Sequence, residues 1–144
     1  MEVREVSSAQ TLPMRTKVLR PGREPDEALF LGPMPPEARH FAAFESEEVV
    51  GVGFIVPVQA PFADEPRAWM LRGMAVDPQR QGQGVGASIV RFVLDEAGRE
   101  GIKLLWFNAR KEAVGFYARL GFEITGEEFE IVGIGPHLRM FRWL

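Results

Sequence analysis

The stretch PQRQGQGVGAS, residues 78 to 88, places glycines at 82, 84 and 86 directly after a strand-like run, AWMLRGMAV at 68 to 76, and directly before a helical one. From Gly84 onward, Ile89, Phe92, Val93 and Ala97 recur at three- and four-residue steps, and Gly101 stands where a left-handed helix stop belongs. The spacing predicts an amphipathic helix of about five turns. A strand that feeds a glycine turn and then a helix leaves the first helical N–H groups without intrahelical partners, so the junction is an anion site by construction. Glycine lacks a Cβ, which lets a pyrophosphate approach the main chain closely and lets φ turn positive. Arg80 and Gln81 can add side-chain donors. Residues 82 to 87, GQGVGA, also satisfy the dinucleotide fingerprint. Against that reading, the loop lies past the middle of the chain, and the next strand ends in Asn108 rather than in an acidic residue that would hold a ribose. A P-loop is excluded, because no Gly-Lys-Ser/Thr follows. A turn that merely tightens the helix start stays open.

Around this junction the chain reads as β α β β β α β α β β. EVREV at 2 to 6 alternates like a strand, and Ser7 or Ser8 caps a helix carrying Leu12, Arg15, Val18 and Leu19, which Pro13 should kink or delay. Five of the eleven prolines fall between 21 and 36, so that stretch reads as a long loop. HFAAFE at 40 to 45 and VVGVGFIVPV at 49 to 58 form a hairpin, and 68 to 76 is the next strand. KLLWFN at 103 to 108 reads as a buried strand. Ala113, Phe116, Tyr117 and Leu120 mark a short helix closed by Gly121, and FEITGEEFEIV and HLRMFRWL end the chain as strands. This is an α+β pattern with a mixed sheet in one domain spanning residues 1 to 144.

Composition narrows the chemistry. With no cysteine and two histidines far apart, His40 and His137, no metal site is expected. The net charge is -3 and basic residues are scattered among acidic ones, which argues against nucleic acid as a partner. No stretch is long and apolar enough for a membrane, and MEVREVSSAQ lacks a signal-peptide pattern, so a cytoplasmic location is expected.

MAVDPQRQGQGVGASIVRFV, residues 74 to 93, resembles motif A of the GNAT superfamily of N-acetyltransferases, with Gln81, Gly84 and Gly86 at its defining positions. NARKEAVGFYARLGFE, residues 108 to 123, resembles motif B, and the tail GFEITGEEFEIVGIGPHLRM is similar to that of many small bacterial members. The two motifs together are specific where either alone is not. The likeness is clear over 68 to 144 and topological before that. It implies a mostly antiparallel sheet of six to seven strands flanked by helices, and an enzyme that carries acetyl from acetyl-CoA to a primary amine, on a small molecule or a protein, by direct attack. The resemblance also admits a homodimer. A module that binds CoA without turnover is the alternative.

From the same resemblance, Gln81, Gly82, Gln83, Gly84, Val85 and Gly86 would hold the pyrophosphate. Main-chain groups of Met74 and Val76 would pair with the pantetheine arm as an added strand, and an N–H near Met74 or Ala75 would meet the thioester oxygen. Tyr117, the chain's one tyrosine, follows Phe116 at the family's general-acid position and suits a departing thiolate. Many members carry Asn where Arg110 stands here, so Asn108 is expected to take over a cofactor hydrogen bond, while Arg110, Lys111 and Arg119 are candidates for phosphate contacts. For the base, Glu127, Glu128, Glu130, His40 and His137 are all candidates, with His137 the first choice. The tail is one glycine longer than the usual Gly-Ile-Pro-His. The acceptor pocket is expected from the loop Arg20 to Arg39 and the last strand pair, lined by Phe30, Phe41, Trp69, Trp106 and Phe129. Arg15 and Arg20 either anchor a substrate carboxylate or lie on a solvated helix face.

Overall fold

The computed structural model describes residues 1–26, 30 and 34–144. The expected element order is present: β1 (Glu2–Val6), α1 (Ser8–Leu19), β2 (Arg39–Glu45), β3 (Glu48–Pro57), β4 (Ala68–Val76), α2 (Val85–Arg99), β5 (Leu104–Arg110), α3 (Val114–Arg119), β6 (Glu123–Ile131) and β7 (Gly135–Trp143). The seven strands hydrogen-bond in the order β1-β2-β3-β4-β5-β7-β6. The flanking pairs are antiparallel, while β4 runs parallel to β5 from Ala68 to Met70. Part of the proline-rich loop expected at 21 to 36, namely residues 27 to 29 and 31 to 33, lies outside the described residues.

Two compact units can be distinguished, one of residues 1–56 and 71–96, the other of 57–70 and 97–144. In the first, Ser7 caps α1 through a complete capping box with Gln10. The helix runs through Pro13, which neither ends nor delays it. Met14 of α1 packs with Ala42, Phe44, Val52 and Ala75 on one side of the strands, joined by Val18 and Leu19. On the other side lies α2, whose 15 residues make about four turns rather than five, because its start waits for the glycine turn to finish.

How α2 comes so close follows from VVGVGFI in β3. Gly51 and Gly53 are two residues apart and therefore share a face. A Cβ on Gly51 would stand 2.6 Å from Val85 Cγ1 and 3.1 Å from Ile89 Cδ1; one on Gly53 would stand 2.6 Å from Met74 Sδ. Both α2 side chains are fully buried, and Val85 is stiff at χ1. Gly51→Val is therefore expected to lower stability by about 1–3 kcal/mol and the melting temperature by roughly 2–10 °C. An unchanged thermal midpoint would show that α2 can yield freely.

An ion triad ties β1, β2 and α2 together. Arg39 forks onto Glu5 (Nε to Oε2 3.1 Å, Nη2 to Oε1 2.8 Å), and its Nη2 also donates to Glu96 at 3.0 Å. The hydrogen bond from Arg39 holds the Glu5 carboxyl below its usual range. A carboxylate whose pKa falls on folding stabilises the protein above its unfolded value and loses that contribution as pH falls through the folded one. Glu5 is half exposed, so solvent screens the pair. Arg39→Ala should cost about 1 kcal/mol in urea denaturation at pH 7, and markedly less near pH 3.

The second unit has two contrasting sheet faces. Leu105, Phe107 and Ala109 of β5 lie on the face toward Tyr117 and Phe122, with Phe107 and Tyr117 rings 4.3 Å apart. The opposite face carries Leu104, Trp106 and Asn108. There Ala60, Ala68, Leu104 and Trp106 form a core with Phe62 and Phe141, and the Trp106 indole donates to the Val58 carbonyl at 2.9 Å.

Candidate active site

In the first unit β4 delivers the chain into the glycine turn. Asp77 ends the strand by donating its N–H to the Val50 carbonyl at 2.9 Å, and its carboxylate accepts the Gln79 N–H at 3.0 Å. That backbone bond, seconded by Lys17 and Arg80, holds the Asp77 carboxyl below its usual range. Pro78–Arg80 form one 3-10 turn, and Gln81 to Gly84 follow as exposed turn residues. Gly82 and Gly84 take positive φ of 80° and 83°, and a Cβ on either would meet nothing within 4 Å. Gly86 differs: it sits inside α2 and has no positive φ. The first helical bond runs from Ser88 N–H to the Gly84 carbonyl at 3.0 Å, with the Ser88 hydroxyl on the same oxygen. The N–H groups of 85 to 87 thus have no carbonyl four residues back within the helix. Arg80, expected as a phosphate donor, is held by Glu45 at 2.9 Å.

Along β4, Met74 lies against Gly53 while the side chain of Ala75 is buried against Met14 of α1. Gly73, between them and Arg72, has φ +62°, and a Cβ there would strike the Phe54 ring at 2.6 Å. This bend in mid-strand is a feature that sequence reading passed over; a lone glycine inside a strand pattern is the available signal.

In the second unit α3 buries Tyr117 among Phe107, Phe116 (4.9 Å between rings) and Phe122 (6.1 Å). Burial alone pushes its hydroxyl up to about 12, so the phenol keeps its proton throughout the neutral range. Phe116 is half-buried against it. Asn108 is not brought to Tyr117. It alternates onto the other face of β5, where its Oδ1 accepts from Arg139 Nε at 3.4 Å. Lys111 pairs with Glu128 at 2.9 Å, while Arg110 and Arg119 are exposed.

Of the candidate bases, His137 is buried and its Nδ1 lies 2.8 Å from the Gly135 carbonyl. A carbonyl only accepts, so Nδ1 is the donor in this bond. Glu127, Glu128 and Glu130 are exposed. His40 is buried in the first unit, its ring 4.9 Å from Phe54. Among the expected pocket residues, Phe41, Trp69 and Trp106 are core, and Phe41 packs on Phe92. Arg15 is not on a solvated face: it is 2% exposed, with Nε on Thr11 Oγ1 and Nη2 on Ser8. Among the described residues, no group of three His, Asp or Glu could hold a metal, and no helix is long and apolar enough to cross a membrane.

Comparison with known proteins gives this arrangement its family. The profile described as the acetyltransferase (GNAT) family matches residues 8–122. The uncharacterized N-acetyltransferase YitI of Bacillus subtilis is 28% identical over 144 residues, covering 100% of this chain and 97% of its own. Among solved structures, the ribosomal-protein-S18-alanine N-acetyltransferase of Escherichia coli superposes with a TM-score of 0.76 at 18% identity, over 99% of this chain and 92% of that one. An aminoglycoside 6'-N-acetyltransferase complexed with coenzyme A superposes with a TM-score of 0.73 at 16% identity, over 99% and 97%. With the profile spanning both the glycine turn and the tyrosine helix, the chain belongs to the acetyltransferase (GNAT) family and is an N-acetyltransferase.

Proposed function

We propose that the chain moves an acetyl group from acetyl-CoA to the nitrogen of a primary amine, on a small molecule or a protein, with Tyr117 as the general acid. The observation that carries this reading is the exposed turn at 81–84, where two left-handed glycines with open space around them lead into the first turn of α2, whose N–H groups have no carbonyl four residues back within the helix. That is a cradle for a pyrophosphate, with room where side chains would otherwise stand. Main-chain groups of Gln81 to Gly86 hold the phosphates. Those of Met74 and Val76 pair with the pantetheine amides, and an N–H at Met74 or Ala75 donates to the thioester oxygen. Acetyl-CoA supplies a thioester: the amine forms the C–N bond and gives its proton to a base, for which His137 is the first candidate, as the C–S bond breaks. Tyr117 gives its proton at the sulfur, flanked by Phe116. Asn108 adds a cofactor hydrogen bond through its Nδ2 or main chain, while its Oδ1 accepts from Arg139.

A thermal-shift comparison tests the cofactor. Acetyl-CoA at about a hundred times its Kd should stabilise the protein by about 2.7 kcal/mol, while NADH should leave the midpoint in place. The reverse outcome would sink the reading. Thiol release across an amine panel then measures turnover.

A further inference from the structure

On the face of the second unit away from Tyr117, the register sets Asn108 opposite Arg139 and Trp106 opposite Phe141. On the other flank of β7, Phe129 lies opposite His137. Trp106, Asn108, Arg139, His137 and Phe129 therefore share one surface. Arg139 is half-buried, its Cζ 5.9 Å from the Trp106 ring and 5.9 Å from the Phe129 ring. The Phe129 ring is in turn stacked on His137. Rings at this distance attract the guanidinium. One of its five donors, Nε, goes to Asn108 at 3.4 Å. Among the described residues no carboxylate lies within ion-pair distance of it, although β6 carries four glutamates on the neighbouring strand. Arg142, its neighbour on β7, behaves differently: Nη1 is bonded to the Leu120 carbonyl at 2.8 Å.

A guanidinium whose Nη1 and Nη2 meet no hydrogen-bond partner among the described residues, beside two rings and fixed at Nε by Asn108, matches the two oxygens of a carboxylate. We propose that Arg139 anchors the acceptor, and that the acceptor is an amine that also bears a carboxylate. This rests on the acetyl-transfer reading for the amine, but the anchoring itself can be read without turnover.

Two measurements test it. In the first, the Arg139 Nε–H resonance, assigned by its loss in Arg139→Lys, is followed by NMR while N-acetylglycine or N-acetylglycinamide is added. A saturable shift with the carboxylate and none with the amide is expected; equal shifts, or none, overturn the proposal whether or not any amine is acetylated. In the second, matched amines with and without a carboxylate, such as glycine and glycinamide, 4-aminobutyrate and butylamine, or tryptophan and tryptamine, are compared as acceptors. The carboxylate members should have the higher kcat/KM. Arg139→Gln should raise their KM about tenfold to a hundredfold, the range for losing a charge-assisted hydrogen bond, and leave the KM for acetyl-CoA unchanged. A variant that merely melts earlier while keeping the same acceptor preference identifies Arg139 as a packing residue and ends the proposal. Failure of all amines to release thiol counts against acetyl transfer, and leaves the NMR result to decide the anchor.

Discussion

Tyr117→Phe should lower kcat by about 10²–10⁴-fold, the range for losing a positioned general acid, while the KM for acetyl-CoA stays within about twofold. The substitution removes one oxygen and keeps the ring, so the contacts to Phe107, Phe116 and Phe122 survive. The melting temperature should therefore hold, because burial rather than a hydrogen bond sets the state of the hydroxyl. The wild-type pH profile supplies a second reading of the same group. With its pKa pushed up to about 12, the phenol stays protonated well past the point where a free tyrosine would ionise. Loss of kcat from this acid should then appear only above about pH 10. The stability linkage has the same sign: a raised pKa contributes stability that is intact below the unfolded value near 10 and is lost as pH rises through 12. Turnover unaltered in Tyr117→Phe would remove the assignment and move the proton source to water.

The order of elements was legible in the sequence because hydrophobic period and punctuation agreed at nearly every step. AWMLRGMAV is observed as β4 with no shift in its bounds, and Gly101 takes a positive φ of 73° just past α2. What escaped was side-chain placement that depends on three-dimensional neighbours. Asn108 and Tyr117 belong to one motif in the sequence, but strand alternation sends Asn108 to the face opposite Phe107 and so to Arg139. Arg15 stood open between a substrate anchor and a solvated helix face, yet it is buried, its Cδ 3.8 Å from where a Gly73 Cβ would lie. Gly51 and Gly53 read as plain strand residues, because a missing side chain carries no periodic signal. Their meaning is the volume that Val85, Ile89 and Met74 occupy. The same holds for Arg139, whose aromatic neighbours come from β5 and β6, more than thirty and about ten residues away in sequence.

Gly84 offers the other large effect, and one that separates backbone strain from ligand contact. At φ +83° a side chain is strained whatever the space, yet a Cβ would find no protein atom within 4 Å. Gly84→Val should thus lose about 1–3 kcal/mol from the left-handed backbone alone, or roughly 2–10 °C in melting temperature. Asparagine tolerates this conformation far better, so Gly84→Asn should melt within a few degrees of wild type. If the turn is the proposed pyrophosphate cradle, both should nonetheless raise the KM for acetyl-CoA about tenfold or more, because the added side chain would occupy the space over the turn and displace charge-assisted bonds to the main chain. At saturating acetyl-CoA, kcat should be largely retained, since the role proposed for the turn is to hold the pyrophosphate and not the reacting atoms. The decisive comparison is the asparagine variant, which is well folded with the cradle filled. Wild-type KM in that protein would mean that the turn only shapes the start of α2, and that the phosphates are held elsewhere.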